Sequence, residues 1–378
     1  MFVRYCPTVT AADQNTPPAD DAPFRLTMSP GFEGWLSEND TSLAFALPPS
    51  KLVFVGRDLD NRIAVYERTF DKTMGLTADG THRIYMGGRY QTWRFDDVPL
   101  TSEAADSGFD RCFAPRQVWV TGNINVHDVA IDPRGGPGNG VTLVATRFSC
   151  LARPSDEFGF EPIWQPPFVK SFRPGDRCHL NGLAMGSDGP AYVTAVGATD
   201  DLERWRTERR GGGIAVHVPT NEIVATGLSM PHSPRLHNGV LYLTHSGDGS
   251  LIRVDPQAGT WEEIGFAPGF LRGLAFVGKY AIVGSSMPRE GDLYSGLPLD
   301  DRLAEANQRP RLGLFVFDLD TGAIAEWLFV EGAFREIFDV ITLPGVRRPM
   351  AYGTVGRELA DSVWIDSSTS AGASVGRP

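Results

Sequence analysis

No segment of this chain is apolar for long enough to span a bilayer as a helix, and its first thirty residues lack the continuous apolar stretch of a signal peptide. Cysteine is scarce. Cys6, Cys112, Cys150 and Cys178 are the only four in 378 residues, and they lack C-x-x-C spacing. A disulfide framework is therefore not expected, and a reducing cytoplasm is the default compartment. Positive charge is in deficit as well. With 35 Lys and Arg against 46 Asp and Glu, the net charge of −11 argues against nucleic acid or an anionic membrane surface as a partner. Only seven histidines occur, so their placement is informative.

Glycine and proline, by contrast, are abundant. The 42 glycines and 28 prolines are too many for a helical protein, and the β-branched and aromatic runs are short and separated by turn signals. Such runs include Lys51 to Val55, Gly239 to Thr244, Ser250 to Val254 and Gly313 to Phe317. The last two each lead through an Asp-containing turn into another strand, as the outer hairpin of a propeller blade does. Four-stranded blades of about 40 to 50 residues are the expected unit.

A repeat sets the blade count. His127, His179 and His232 each open a short strand, at intervals of 52 and 53 residues. Met74 lies 53 residues before His127, Arg272 lies 40 after His232, and Glu336 follows 64 later. The long last interval contains a polar stretch, Arg289 to Arg311, that reads as an insertion between strands. Six registers predict an all-β, six-bladed β-propeller. The final blade is short of strands, and the N-terminal pair Leu52 to Val55 and Arg62 to Tyr66 can close the ring by joining it, with residues 336 to 354 supplying the rest. A seven-bladed ring is the competing count. Closure also hides sheet edges. The expected layout is an irregular segment over 1–40, one propeller domain over 41–365 and a flexible tail over 366–378.

Several longer segments carry a family resemblance. Thr146 to Leu151, Asp176 to Met185, Gly227 to Arg235, Pro268 to Leu274 and Glu336 to Val340 resemble the signature segments of a bacterial family of conserved hypothetical proteins, a domain of unknown function. The resemblance spans about residues 40 to 350. The architecture is also similar to six-bladed propellers of the gluconolactonase, streptogramin-lyase and peptidyl-hydroxyglycine-lyase kinds, which implies a metal on the axis; a fold alone does not fix a reaction.

The register itself carries the chemistry. Equivalent positions of a closed repeat converge on its axis, and imidazoles that converge usually hold a metal. His127, His179 and His232 are therefore the expected ligands of one divalent transition metal: zinc, iron, copper, nickel or manganese. Glu336 is a fourth ligand or a general base, or alternatively the salt-bridge partner of Arg272. Arg272 is expected to hold a substrate anion, with Arg235, Asn181, His245 and Arg147 as further substrate contacts. Arg147 and Arg177 can equally bridge blades through Asp128, Asp176 or Asp339. His82, His217 and His237 read as surface residues. Two function classes follow: a metal-dependent lyase, isomerase or hydrolase acting on a small anionic, carboxylate-bearing molecule, or a non-catalytic propeller that binds a ligand or protein partner and uses the metal structurally.

Overall fold

The six register positions each stand at or just before the first strand of a separate sheet. The computed structural model describes residues 24–80, 82–135, 140–288, 295–354, 357–360 and 363. The inner strands are Leu76–Ala78, Val126–Ile131, Leu180–Gly186, Pro231–His237, Phe270–Val277 and Asp339–Pro344, heading blades 1 to 6. Each inner strand packs on the next, and blade 6 packs on blade 1. The ring is a closed six-bladed β-propeller. The expected outer hairpins are present as Ser250–Asp255 with Thr260–Phe266 and as Gly313–Asp318 with Ile324–Gly332.

Closure uses both ends of the chain, with a different division of strands from the expected one. Blade 6 takes its inner strand from the C-terminal part and three strands from the N-terminal part: Thr41–Leu47, Lys51–Arg57 and Ile63–Thr69. Phe45 stands opposite Val340 in that ladder. Every residue of Thr41–Leu47 is buried, so this apolar segment takes the place beside Asp339–Pro344. Pro349–Ala351 therefore leaves blade 6 and pairs in parallel with Arg111–Val120, with Met350 opposite Cys112, as a fifth strand of blade 1.

Residues 24–40 are not irregular. Phe24–Met28 pairs along Ile324–Gly332 as a fifth strand of blade 5, and the helix Phe32–Glu38 buries Phe32, Trp35 and Leu36 against blades 5 and 6. The fifth strands Phe24–Met28 and Pro349–Ala351 cover outer edges that would otherwise present unpaired backbone groups. The expected tail over 366–378 lies outside the described residues. Within the polar insertion, Pro298–Glu305 forms a helix with Asp300 and Asp301 in its first turn, where the helix dipole favours them. Its Leu299 and Leu303 are buried with Trp205, Met230 and Phe270.

Side chains stitch neighbouring inner strands together. The Asp128 carboxylate accepts from the Leu183 N–H at 2.9 Å, Asp339 from the Leu76 N–H at 2.8 Å, and the Ser233 hydroxyl from the Gly273 N–H at 2.9 Å. Gly273 has φ 74, and a Cβ there would lie 2.8 Å from both the Asp339 Cα and the Val340 N. Gly273→Ala should therefore combine left-handed strain with overpacking and destabilise the fold by about 2–4 kcal/mol. Thermal denaturation of the variant checks this; an unchanged midpoint would show that blades 5 and 6 can separate freely.

Candidate functional site

The three register histidines converge. His127 and His179 have ring centroids 4.8 Å apart, and His179 and His232 are 6.3 Å apart. All three rings are buried at one end of the ring of inner strands.

Each imidazole is oriented through Nδ1. That of His127 contacts the Asn125 carbonyl at 3.3 Å and the Thr146 hydroxyl at 2.9 Å. The Thr146 hydroxyl gives its own proton to the Leu180 carbonyl at 2.5 Å, so it accepts from His127. His232 Nδ1 donates to the Met230 carbonyl at 2.9 Å beside Ser246, and His179 Nδ1 donates to the Asp176 carboxylate at 2.5 Å. Left-handed backbone at Asn125 (φ 55) and Met230 (φ 47) accompanies the two carbonyl contacts. With Nδ1 carrying the proton, the lone pair falls on Nε2. Among the described residues no hydrogen bond engages any of the three Nε2 atoms. Burial, then the charges of His179, Arg272 and His232, hold His127 well below its ordinary pKa. Burial, then Arg272 and His179, do the same for His232. Neutral imidazole is the form that ligates a metal.

Arg272 and Glu336 also face this site, but not in separate roles. They form a buried ion pair with each other. The Arg272 guanidinium lies 4.0 Å from the centroid of Phe338, whose ring is 5.3 Å from His127. The bridging alternative for Glu336 is thus the arrangement present. Met74, the register position of blade 1, is buried in the apolar core between blades 6 and 1.

The expected substrate contacts are placed otherwise. Arg235 reaches across the ring from blade 4 to blade 2, donating to Asp128 at 2.7 and 3.0 Å and to the Leu183 carbonyl at 3.0 Å. Asp339 of blade 6 stands 3.6 Å from the same guanidinium. Burial opposes its charge, but Asp128 and Asp339 outweigh that and hold it protonated. It is an internal staple and not an anion contact, because two buried carboxylates already occupy it. The interblade bridge through Asp128 and Asp339, the alternative role for Arg147 and Arg177, is made by Arg235. Arg177 instead pairs with Asp200, and Arg147 reaches the Asn123 carbonyl at 3.4 Å near the surface. Asn181 is buried and accepts from the Thr194 hydroxyl at 2.8 Å, with its amide nitrogen unpaired among the described residues. His245 faces outward within blade 4, accepting from the Ser229 N–H at 2.7 Å and packing edge-on against Trp261 at 5.1 Å. His237 is half-buried, stacked on Phe276 at 4.3 Å.

Four further side chains belong to the site. Asp176 holds His179, Trp205 stacks on His179 at a centroid distance of 4.0 Å, Phe338 lies between Arg272 and His127, and Lys72 reaches Asn125. Lys72 had a readable signal: it precedes Met74 by two residues, as Asn125 precedes His127 and Met230 precedes His232. Trp205 had none, since it enters from a loop with no repeat position.

In a tetrahedral centre, metal–nitrogen bonds of about 2.0–2.1 Å place imidazole centroids roughly 5 Å apart. The His127–His179 pair meets this, whereas His232 must approach by roughly 1 Å. As they stand, no three His, Cys, Asp or Glu side chains among the described residues are arranged to hold a metal.

The fold and this polar centre define a six-bladed β-propeller with a histidine cluster at one end of its axis. The chain belongs to the family described as Domain of unknown function (DUF4915), which matches residues 30–352. No curated protein sequence matches it. Among solved structures, it is similar to a chain of the crystal structure of a nidogen/laminin complex, with 11% identity, 81% of this chain and 99% of that chain covered, and a TM-score of 0.47. No helix among the described residues is long and apolar enough to cross a membrane.

Proposed function

We propose that this propeller is a metal-dependent enzyme acting on a small carboxylate-bearing molecule by lyase, isomerase or hydrolase chemistry. One observation carries the proposal: three buried imidazoles from consecutive blades have Nδ1 tied to an acceptor and, among the described residues, no hydrogen bond on Nε2. That is the usual preparation of a metal ligand, the outer hydrogen bond fixing tautomer and ring direction. Three such ligands leave coordination positions open, and a transition metal held there would polarise a bound oxygen or acidify bound water. His127, His179 and His232 would hold it. Glu336, if released from its ion pair with Arg272, would complete the coordination or accept a proton. A reducing compartment suits the protein, since Cys112, Cys150 and Cys178 are buried free thiols.

The 6.3 Å separation of His179 from His232 favours a second reading, a scaffold whose polar centre binds a ligand or partner without catalysis. Elemental analysis of protein purified without a histidine tag separates the two. Close to one equivalent of a single transition metal per chain is expected. Metal-free protein that takes up none of zinc, iron, copper, nickel or manganese would leave the scaffold reading in place.

A further inference from the structure

Of the three arginines expected to contact a substrate anion, Arg235 is neutralised by Asp128 and Asp339 and Arg272 by Glu336, while Arg147 lies near the surface against the Asn123 carbonyl. A further cation stands beside the histidine cluster. Lys72 lies between the outermost strand of blade 6 and the inner strand of blade 1, with φ 56. Its Nζ is 3.4 Å from the side-chain oxygen of Asn125, a neutral group, two residues before His127. The neighbouring Asp71 is taken by Arg89 at 2.9 Å. Among the described residues Lys72 forms no ion pair. Burial, then Arg89, weaken its hold on its proton; Glu336 acts in the opposite sense and Arg272 adds to the weakening, which places Lys72 in the field of the same centre.

Access points the same way. On the side of blades 3 to 5 the site is roofed: Trp205 stacks on His179, and Leu297, Leu299 and Leu303 pack with Trp205, Met230 and Phe270 near His232. Lys72 and Asn125, over blades 1 and 2, are only half-buried. A partly desolvated ammonium without a counter-charge favours an arriving anion, because the anion restores what burial removed.

We propose that Lys72 is the residue that recognises the carboxylate of the ligand, at the open side of the histidine cluster. This names the recognising group within the function proposed above and rests on that reading for the anion, not for the metal. The expected ligand is a small carboxylate with a second oxygen that can reach the histidine Nε2 atoms. Oxalate is a suitable probe, with inorganic phosphate as the comparison anion.

Isothermal titration of tag-free protein with each probe, before and after chelator treatment and with metal content measured on the same samples, tests the proposal. Lys72→Met should weaken oxalate binding by about tenfold or more, as expected for loss of a charge-assisted hydrogen bond. Lys72→Arg should bind within about threefold of the unsubstituted protein. Metal content should be equal in all three. Oxalate binding that is indifferent to Lys72→Met overturns the proposal, as does a wild-type protein that binds neither probe. If the protein holds no metal yet binds oxalate through Lys72, the metal reading fails alone; if it holds metal and Lys72 makes no difference, this proposal fails alone.

Discussion

Arg235→Met should destabilise the propeller by about 3–5 kcal/mol, lowering its melting midpoint by roughly 10 °C. The guanidinium makes two hydrogen bonds to Asp128 and one to the Leu183 carbonyl, and lies 3.6 Å from Asp339, all in the interior of the ring. Methionine fills much of the same volume but leaves two buried carboxylates facing one another without a cation. Asp339 is already pushed up to about 7 by burial, with Arg235 opposing and Asp128 adding. Its folded pKa lies above the unfolded value, so the folded state binds the extra proton and stability falls as pH rises through that window. Without Arg235 the window extends further upward. The deficit of the variant should therefore shrink as pH is lowered from about 8 to about 5. Thermal unfolding across that range measures it. A variant within about 1 kcal/mol of the parent at pH 8 would show that the staple is dispensable.

Replacing His127, His179 or His232 singly by Ala should cost more than about 100-fold in metal affinity, because loss of an outer hydrogen-bond partner alone typically costs 10–100-fold. Asp176→Asn should fall in that lesser range, since it weakens the hydrogen bond that orients His179 without removing a ligand. The four variants should remain folded, for blade packing rests on apolar clusters that extend between the sheets well beyond the histidines. Metal content after dialysis against a competing chelator gives the order. Stoichiometric metal in all three alanine variants would eliminate the histidine centre. A loss that is equal in Asp176→Asn and His179→Ala would mean that Asp176 is itself a ligand.

The histidine cluster was legible because a repeat is a one-dimensional property with a three-dimensional meaning. Intervals of 52 and 53 residues put His127, His179 and His232 at equivalent points of successive blades, and equivalent points of a closed ring face its centre. The same argument placed Arg272 and Glu336 at that centre. It could not distribute their charges. Glu336 is in blade 6 and Arg272 in blade 5, next to each other in the ring, and neighbours of opposite charge in a buried place pair before they serve a ligand.

Arg235 shows the limit from the other direction. Three residues past His232, it lies deeper in the ring, where the opposite wall comes within reach of a long side chain, and there it meets Asp128 and Asp339 from blades 2 and 6. Nothing in the local sequence of Arg235 records that distance. The roofing Trp205 and the N-terminal strand Phe24–Met28 were equally hidden, since neither occupies a repeat position. By itself the sequence determined the all-β propeller fold, closure through both ends of the chain and the meeting of three imidazoles, which follow from periodicity and turn chemistry, and it put six blades ahead of seven; the structure decided for six. Tertiary structure alone decided that Arg235 and Arg272 are neutralised while Lys72 forms no ion pair among the described residues, because charge pairing depends on distances across the ring that no interval along the chain specifies.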